Sequence, residues 1–225
     1  MLCLSLDASS LSASAALSED GVLLAEAYAQ NGLTHSASLL PMIDRCLQMA
    51  GRSMAEVTLV AAAAGPGSFT GVRIAVTTAM GLAGNRDCAC VNTLEALARQ
   101  AGHFSGIVCP MLDARAGQVY AAAFRNGEQL LPYESIKLDE FLEKLKSLEA
   151  PCLFVGDGAK AYAEKLNASG LGQVGGPSLL GLHAGYVCEL AMERPETWQK
   201  AEEMRPIYLR ASSAERARLE RQSHE

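Results

Sequence analysis

The chain has 225 residues, 49% of them hydrophobic and 20% charged, a balance that excludes a disordered segment and leaves one large or two small globular domains. Its formal net charge of −6 argues against broad contact with nucleic acid, which needs a basic face, and leaves room only for a local basic patch. Seven scattered cysteines, an odd number, read as reduced core thiols and not as a disulfide framework, and the opening "MLCLSLDASS" has neither the basic start nor the apolar run of a secretory leader. The expectation is a cytoplasmic protein without membrane association.

The first thirty residues read as a strand meander, "LCLSLDA", "SASAALSE", a turn at Glu19-Asp20-Gly21 and "VLLAEAYA". A helix is expected from Thr34, with Leu39, Leu40, Ile43 and Leu47 at helical spacing, Gly51 as its stop, and Pro41 in its first turn or at a kink. Next come the strand "EVTLVAAAA", a glycine turn, a helix from about Phe69 to Gly84, a short strand near "CACVNT" and the helix "LEALARQAG".

The second half repeats this order. "GIVCPMLDA", "QVYAAAFRNG" and "EQLLPYESI" read as strands, followed by the helix "LDEFLEKLKSL", the strand "PCLFVGDG", the helix "KAYAEKLNA", a short "GQV" and the helix "PSLLGLHAGYVCELAME". Leu6-Asp7-Ala8 and Leu112-Asp113-Ala114 end the first strand of each half in the same way. A unit this long points to duplicated domains, each βββαβαβα, and not to a solenoid. The boundary is expected near Gly102 to Gly106, giving domains 1–104 and 105–225, the second ending in a charged, weakly periodic tail from Arg205.

Such a pair of α/β domains resembles the actin-like, RNase H-like architecture shared by actin, hexokinase and the heat-shock chaperone ATPases. That likeness makes Asp7 and Asp113 candidates for positioning a metal-nucleotide, against the plainer reading that each caps its turn. The stretch "GPGSFTGVR" follows a strand and opens a helix, a setting in which backbone N–H groups gather around phosphate, so Gly65, Gly67 and Ser68 join them as weak anion or nucleotide candidates. It lacks the Gly-Lys-Ser/Thr of a P-loop, the dinucleotide glycine spacing and the Gly-x-Ser-x-Gly elbow. The alternatives are a tight turn capped by Ser68 or Thr70, and a Ser68 nucleophile served by His35 or His183. Cys88 and Cys90 find no second ligand pair, so no metal site is expected. From Ile74 to Asn85 the next helix carries no charge. Val72, Val76, Ala79 and Ala83 form one stripe and Ile74, Thr78 and Gly81 lie opposite, so both faces are fit for burial, the second against the other half of the chain or against a partner helix.

At these residues the chain resembles the TsaB/YeaZ family. The resemblance covers most of the chain and rests on "LDAS", where the family has Asp-Thr-Ser, and on "HSASLLPMID", "GPGSFTGVRIAVTTAMGLA", "VNTLEALA" and "DARAGQVYAAAF". It implies a non-catalytic structural and activating subunit of the machinery that makes threonylcarbamoyladenosine in tRNA. Its implied partners are the catalytic paralogue TsaD, the ATPase TsaE, and a second copy of itself when TsaD is absent, with tRNA met only through the complex. It implies no cofactor of its own, ATP or ADP being bound in the assembled complex. In the catalytic paralogue the stretch equivalent to "VNTLEALA" carries a metal-binding His-x-x-x-His; here the positions are Thr93 and Leu97, and leucine cannot ligate. Ala8 in place of the family's Thr further weakens any nucleotide role for the first turn. The resemblance also assigns His35, Leu39, Ile43, Leu47, Ile74, Thr78 and Gly81, on the first two helices, to the partner interface. The alternative from another class is an ATP-dependent phosphotransferase or ATPase.

Overall fold

A computed structural model describes residues 1–210. Leu2–Asp7 (β1), Ala13–Glu19 (β2) and Val22–Ala29 (β3) form an antiparallel meander, and Leu59–Gly65 (β4) and Asp87–Asn92 (β5) extend it in parallel, giving the order β3-β2-β1-β4-β5. Helices His35–Ala50 (α1), Phe69–Ala83 (α2) and Thr93–Gln100 (α3) connect them. In the second half Ile107–Asp113 (β6), Gln118–Arg125 (β7), Glu128–Lys137 (β8), Cys152–Val155 (β9) and Gly172–Val174 (β10) take the equivalent order, β8-β7-β6-β9-β10. Leu138–Lys146 (α4), Asp157–Ala161 (α5), Ala163–Ala168 (α6) and Ala184–Glu193 (α7) complete it. The duplicated, actin-like α/β fold expected from the sequence is the fold of the molecule.

The strands explain their own layering. Along β4, Leu59, Ala61 and Ala63 face the core between the two sheets, while Val60, Ala62 and Ala64 face the helices outside. A parallel strand covered on both faces has no polar side, and its alanines let helices approach closely from both directions. Outside the first sheet, α1 and α2 pack on Leu2, Leu4, Leu6 and Leu17; outside the second, α4, α5 and α6 pack on Ile107, Cys109 and Met111. The middle layer is exchanged. α3, from the first half, lies against β6 and β7, and α7, from the second half, lies against β1 and β2. One central core therefore joins Leu94 and Leu97 to Val108, Leu112 and Val155, and Cys3 and Leu59 to Val187, Cys188 and Leu190.

Two expected helices differ. The last begins at Ala184, with only a 3₁₀ turn at Pro177–Leu179 before it. Between them Gly181 passes tightly against the Tyr28 hydroxyl and Ser12, and His183 is extended, so contact with the first half overrides local propensity. The helix over residues 160–168 breaks at Tyr162, whose hydroxyl donates to Asp113 Oδ1 at 3.3 Å. In α1, Pro41 lies inside the helix on its exposed side, where the carbonyl that loses its donor faces water; Gly51 ends the helix in the left-handed region, at φ 63. The charged tail falls mostly on residues 211–225, outside the described residues.

Candidate functional site

A cleft of about 470 Å³ opens between the two halves, walled by Ser9, Ser10, His35, Gly67 and Ser68 on one side and by Asp113, Arg115, Tyr120 and Asp157 on the other, with Tyr208 and Arg210 at its mouth. Asp7 lies beneath it, fully buried. Its Oδ1 accepts the Ser9 N–H at 3.0 Å and its Oδ2 has no partner among the described residues. Burial, with a smaller push from the charge of Asp157, raises its pKa to about 7 against the pull of Ser9. Asp113 makes the same turn in the second half, its Oδ1 accepting the Arg115 N–H at 2.9 Å. Both aspartates thus close an Asx turn, which is the turn-capping role. Asp157, which the sequence analysis passed over, accepts the Asp113 N–H at 3.1 Å, and burial pushes its pKa up to about 6. Its Gly-Asp-Gly setting after β9 was the signal available.

The glycine loop is a packing device. A side chain at Gly65 would meet the Ile207 carbonyl, at Gly67 the Ser9 carbonyl and at Gly71 the Ala8 carbonyl; Gly65 also has φ 111, a conformation that side chains disfavour. The Ser68 N–H is committed to the Ser9 carbonyl at 2.7 Å, and Ser68 Oγ caps α2 by accepting from the Gly71 N–H at 3.3 Å. Among the described residues no histidine pairs with Ser68. His35 Nε2 donates to the Ser10 carbonyl at 2.9 Å, and His183 lies elsewhere, its Nδ1 on Glu26 at 2.8 Å and its ring stacked on Tyr28. Glu26 raises the His183 pKa.

Thr93 and Leu97 are both structural. Asn92 caps α3 by accepting from the Leu94 N–H, and thereby sets Thr93 at its first turn, where the hydroxyl accepts the Gly65 N–H at 3.2 Å. Leu97, one helical turn on, is buried in the central core beside Gly156. Cys88 and Cys90 lie two residues apart on β5, and no group of three or more His, Cys, Asp or Glu among the described residues is arranged to hold a metal.

The outer faces of α1 and α2 correct part of the expected interface. Leu39, Ile43 and Leu47 are buried in this chain's own core, because helical spacing that builds an apolar stripe builds it toward the sheet. The outward residues of α1 include Leu40 and Met49, 50% and 58% exposed. On α2, Val72, Val76, Ala79 and Ala83 face inward as expected, Gly81 is exposed, and Ile74 and Thr78 are half-buried. From the second half, the short turn Ala201–Glu203 packs against α2 and Tyr208 stacks on Phe69 at its start, while no strand of the second sheet is among the elements packed on α2 within the described residues.

Comparison with known proteins identifies this arrangement. A family model described as TsaD, tRNA N6-adenosine threonylcarbamoyltransferase, matches residues 29–217. The tRNA threonylcarbamoyladenosine biosynthesis protein TsaB of Bacillus subtilis is 32% identical over 99% of this chain and 100% of its own length, and that of Escherichia coli is 30% identical over 95% and 96%. The chain belongs to the TsaB family. Among solved structures, YeaZ from Pseudomonas aeruginosa superposes with a TM-score of 0.73 at 28% identity, over 92% of this chain and 99% of that one. A second P. aeruginosa structure, of an uncharacterized protein with similarity to peptidase YeaZ, reaches 0.79 at 29% identity, over 93% and 99%. Among the described residues of this TsaB-family chain, neither His35 nor His183 is hydrogen-bonded to a serine hydroxyl as a peptidase pair would be. No helix among its described residues is long and apolar enough to cross a membrane.

Proposed function

We propose that this chain is a non-catalytic, supporting subunit in the formation of threonylcarbamoyladenosine in tRNA, acting in the cytoplasm. It works by holding the catalytic paralogue TsaD, through the outer faces of α1 and α2, in an assembly that also includes the ATPase TsaE. The single observation that carries the reading is at positions 93 and 97, where a metal-binding pair is replaced by a hydroxyl spent on the Gly65 N–H and a leucine buried in the core. Those two positions cannot hold a metal that would polarise a carbonyl or activate a phosphate there. Its contribution is then a surface. The exposed Leu40 and Met49, and an α2 without charge from Ile74 to its end at Ala83, support a helical partner packed against them. In the absence of TsaD a second copy takes that place. Any ATP or ADP belongs to the assembled complex.

The test is tRNA modification by the purified assembly with this chain included or omitted. Omission is expected to remove most of the product, and inclusion of this chain without TsaD to give none. Hydrolysis of ATP by the chain alone, abolished by Asp7→Asn, would overturn the reading in favour of an ATPase.

A further inference from the structure

After α7 the chain returns to the first half, and its last described residues, Tyr208 and Arg210, line the cleft. The Ile207 N–H donates to the Ala64 carbonyl at 2.6 Å, setting Tyr208 against Phe69 with ring centroids 5.1 Å apart and planes 25° from parallel. Arg73 also lies over the Phe69 ring, its guanidinium carbon 5.2 Å from the ring centroid. Both rings remain open to solvent, Phe69 at 40% and Tyr208 at 47%. Across the mouth, the Arg115 side chain is 86% exposed, and Arg210 reaches the Ala114 carbonyl at 3.4 Å. This is a stacked aromatic platform ringed by three arginines on a chain of net charge −6. The acids facing the patch, Asp113 and Asp157, line the cleft and are each engaged by backbone N–H groups, and Asp113 Oδ2 also lies 3.9 Å from Arg115 Nε, a long contact on a side chain that stays open to solvent.

We infer that the mouth of this cleft is a contact site for single-stranded RNA, one base stacking on Tyr208 and flanking phosphates meeting Arg73, Arg115 and Arg210. Aromatic faces with neighbouring arginines bind single strands because every base offers a π-face and every nucleotide a phosphate. A strand is favoured over a free nucleotide by the layout, since the rings and Arg115 lie on the open surface, where a ligand extending to both sides can reach all of them at once. The inference rests on the proposed role in tRNA modification for the source of the RNA. It departs from that role in giving this chain its own contact with the substrate.

The experiment is fluorescence anisotropy of the full chain with a labelled RNA hairpin carrying a seven-nucleotide single-stranded loop, titrated over a range of salt concentrations. Parallel titrations use the fully paired duplex and AMP. Wild type is expected to bind the hairpin more tightly than the duplex. Tyr208→Ala should weaken it at least fivefold with little change in salt dependence. Arg115→Ala should lower the slope of log affinity against log salt by about 0.7, the value for one phosphate contact on a single strand. Thermal melting of both variants checks that the fold is kept. No binding by wild type, equal binding by folded variants, or AMP binding as tightly as the hairpin would each overturn the inference. The modification assay with and without this chain is a separate measurement, so the supporting role can stand while this contact fails, and the reverse.

Discussion

At the scale of single residues, the buried carboxyl of Asp7 gives the molecule a pH response. Its folded pKa is raised from 3.8 to about 7 by burial, so the folded state holds a proton that the unfolded state gives up. Its stabilising protonation is fully present below about pH 4 and is lost as the pH rises to about 7. Asp157, raised to about 6, acts in the same direction over a narrower range, and His183, raised by Glu26, adds a loss above its ordinary range. Asp7→Asn keeps an oxygen for the Ser9 N–H and removes the ionisation. Urea denaturation should therefore show wild type losing on the order of 3 kcal/mol between pH 4 and 7 to this one group, and the variant losing much less, with its remaining slope below about pH 6 owed to Asp157. Equal slopes would show that Asp7 is already ionised in the fold. Thr93→Val tests the other buried polar link. It retains shape but leaves the Gly65 N–H without its acceptor, a cost of about 1–3 kcal/mol, read as a lower urea midpoint.

At the scale of elements, α2 carries glycines of opposite meaning. Gly71→Ala drives a methyl into the Ala8 carbonyl, where backbone must move, whereas nothing lies within 4 Å of a Cβ at Gly81. The first change should cost about 3 kcal/mol or prevent folding, and the second should stabilise the isolated chain by about 0.5–1 kcal/mol through helix propensity. Melting of the two variants side by side separates them. Thr78→Glu adds a carboxylate to the half-buried outer side of α2 and should leave the isolated fold nearly unchanged. If the proposed partner, the catalytic paralogue, packs there, desolvating that charge against an apolar helix costs about 3 kcal/mol, a loss of more than a hundredfold in affinity for it. Titration calorimetry reads it, and normal binding by a folded variant would move the interface elsewhere. These elements were legible because their signals are local: the alternation and small residues of β4, the Thr34 and Gly51 ends of α1, the Ser68 cap of α2. The orientation of α1 was not, since Leu39, Ile43 and Leu47 are a stripe that suits a sheet or a partner equally well until the sheet is seen beneath them. The late start of α7 and the break at Tyr162 arise from contacts with Tyr28, Ser12 and Asp113, none of them near in sequence.

For the whole molecule, the repeat of two βββαβαβα units suggests two separable domains, but the central layer ties them together. Fragment 1–104 would keep its outer core, with α1 and α2 on the first sheet, and lose α7 from the inner face of that sheet. Leu59 and Val91 would then face water, as would Leu94 and Leu97 of α3, whose partners Val108, Leu112 and Val155 belong to the second half. At about 2 kcal/mol for each large apolar side chain returned to solvent, four such residues cost about 8 kcal/mol, comparable to the entire stability of an ordinary domain. The fragment also loses the edge pairing of Cys88 with Gln199 and the Ile207 bond to the Ala64 carbonyl. Fragment 1–104 is therefore expected to lack a cooperative urea transition and dispersed amide signals, while the intact chain unfolds in one step. Mixing it with fragment 105–225 should restore the native spectrum, because each supplies the helix that the other's sheet requires. A fragment that melts sharply alone would show that α3 can fold back onto its own sheet, and the exchanged helices would then be an arrangement of contact between two independent domains.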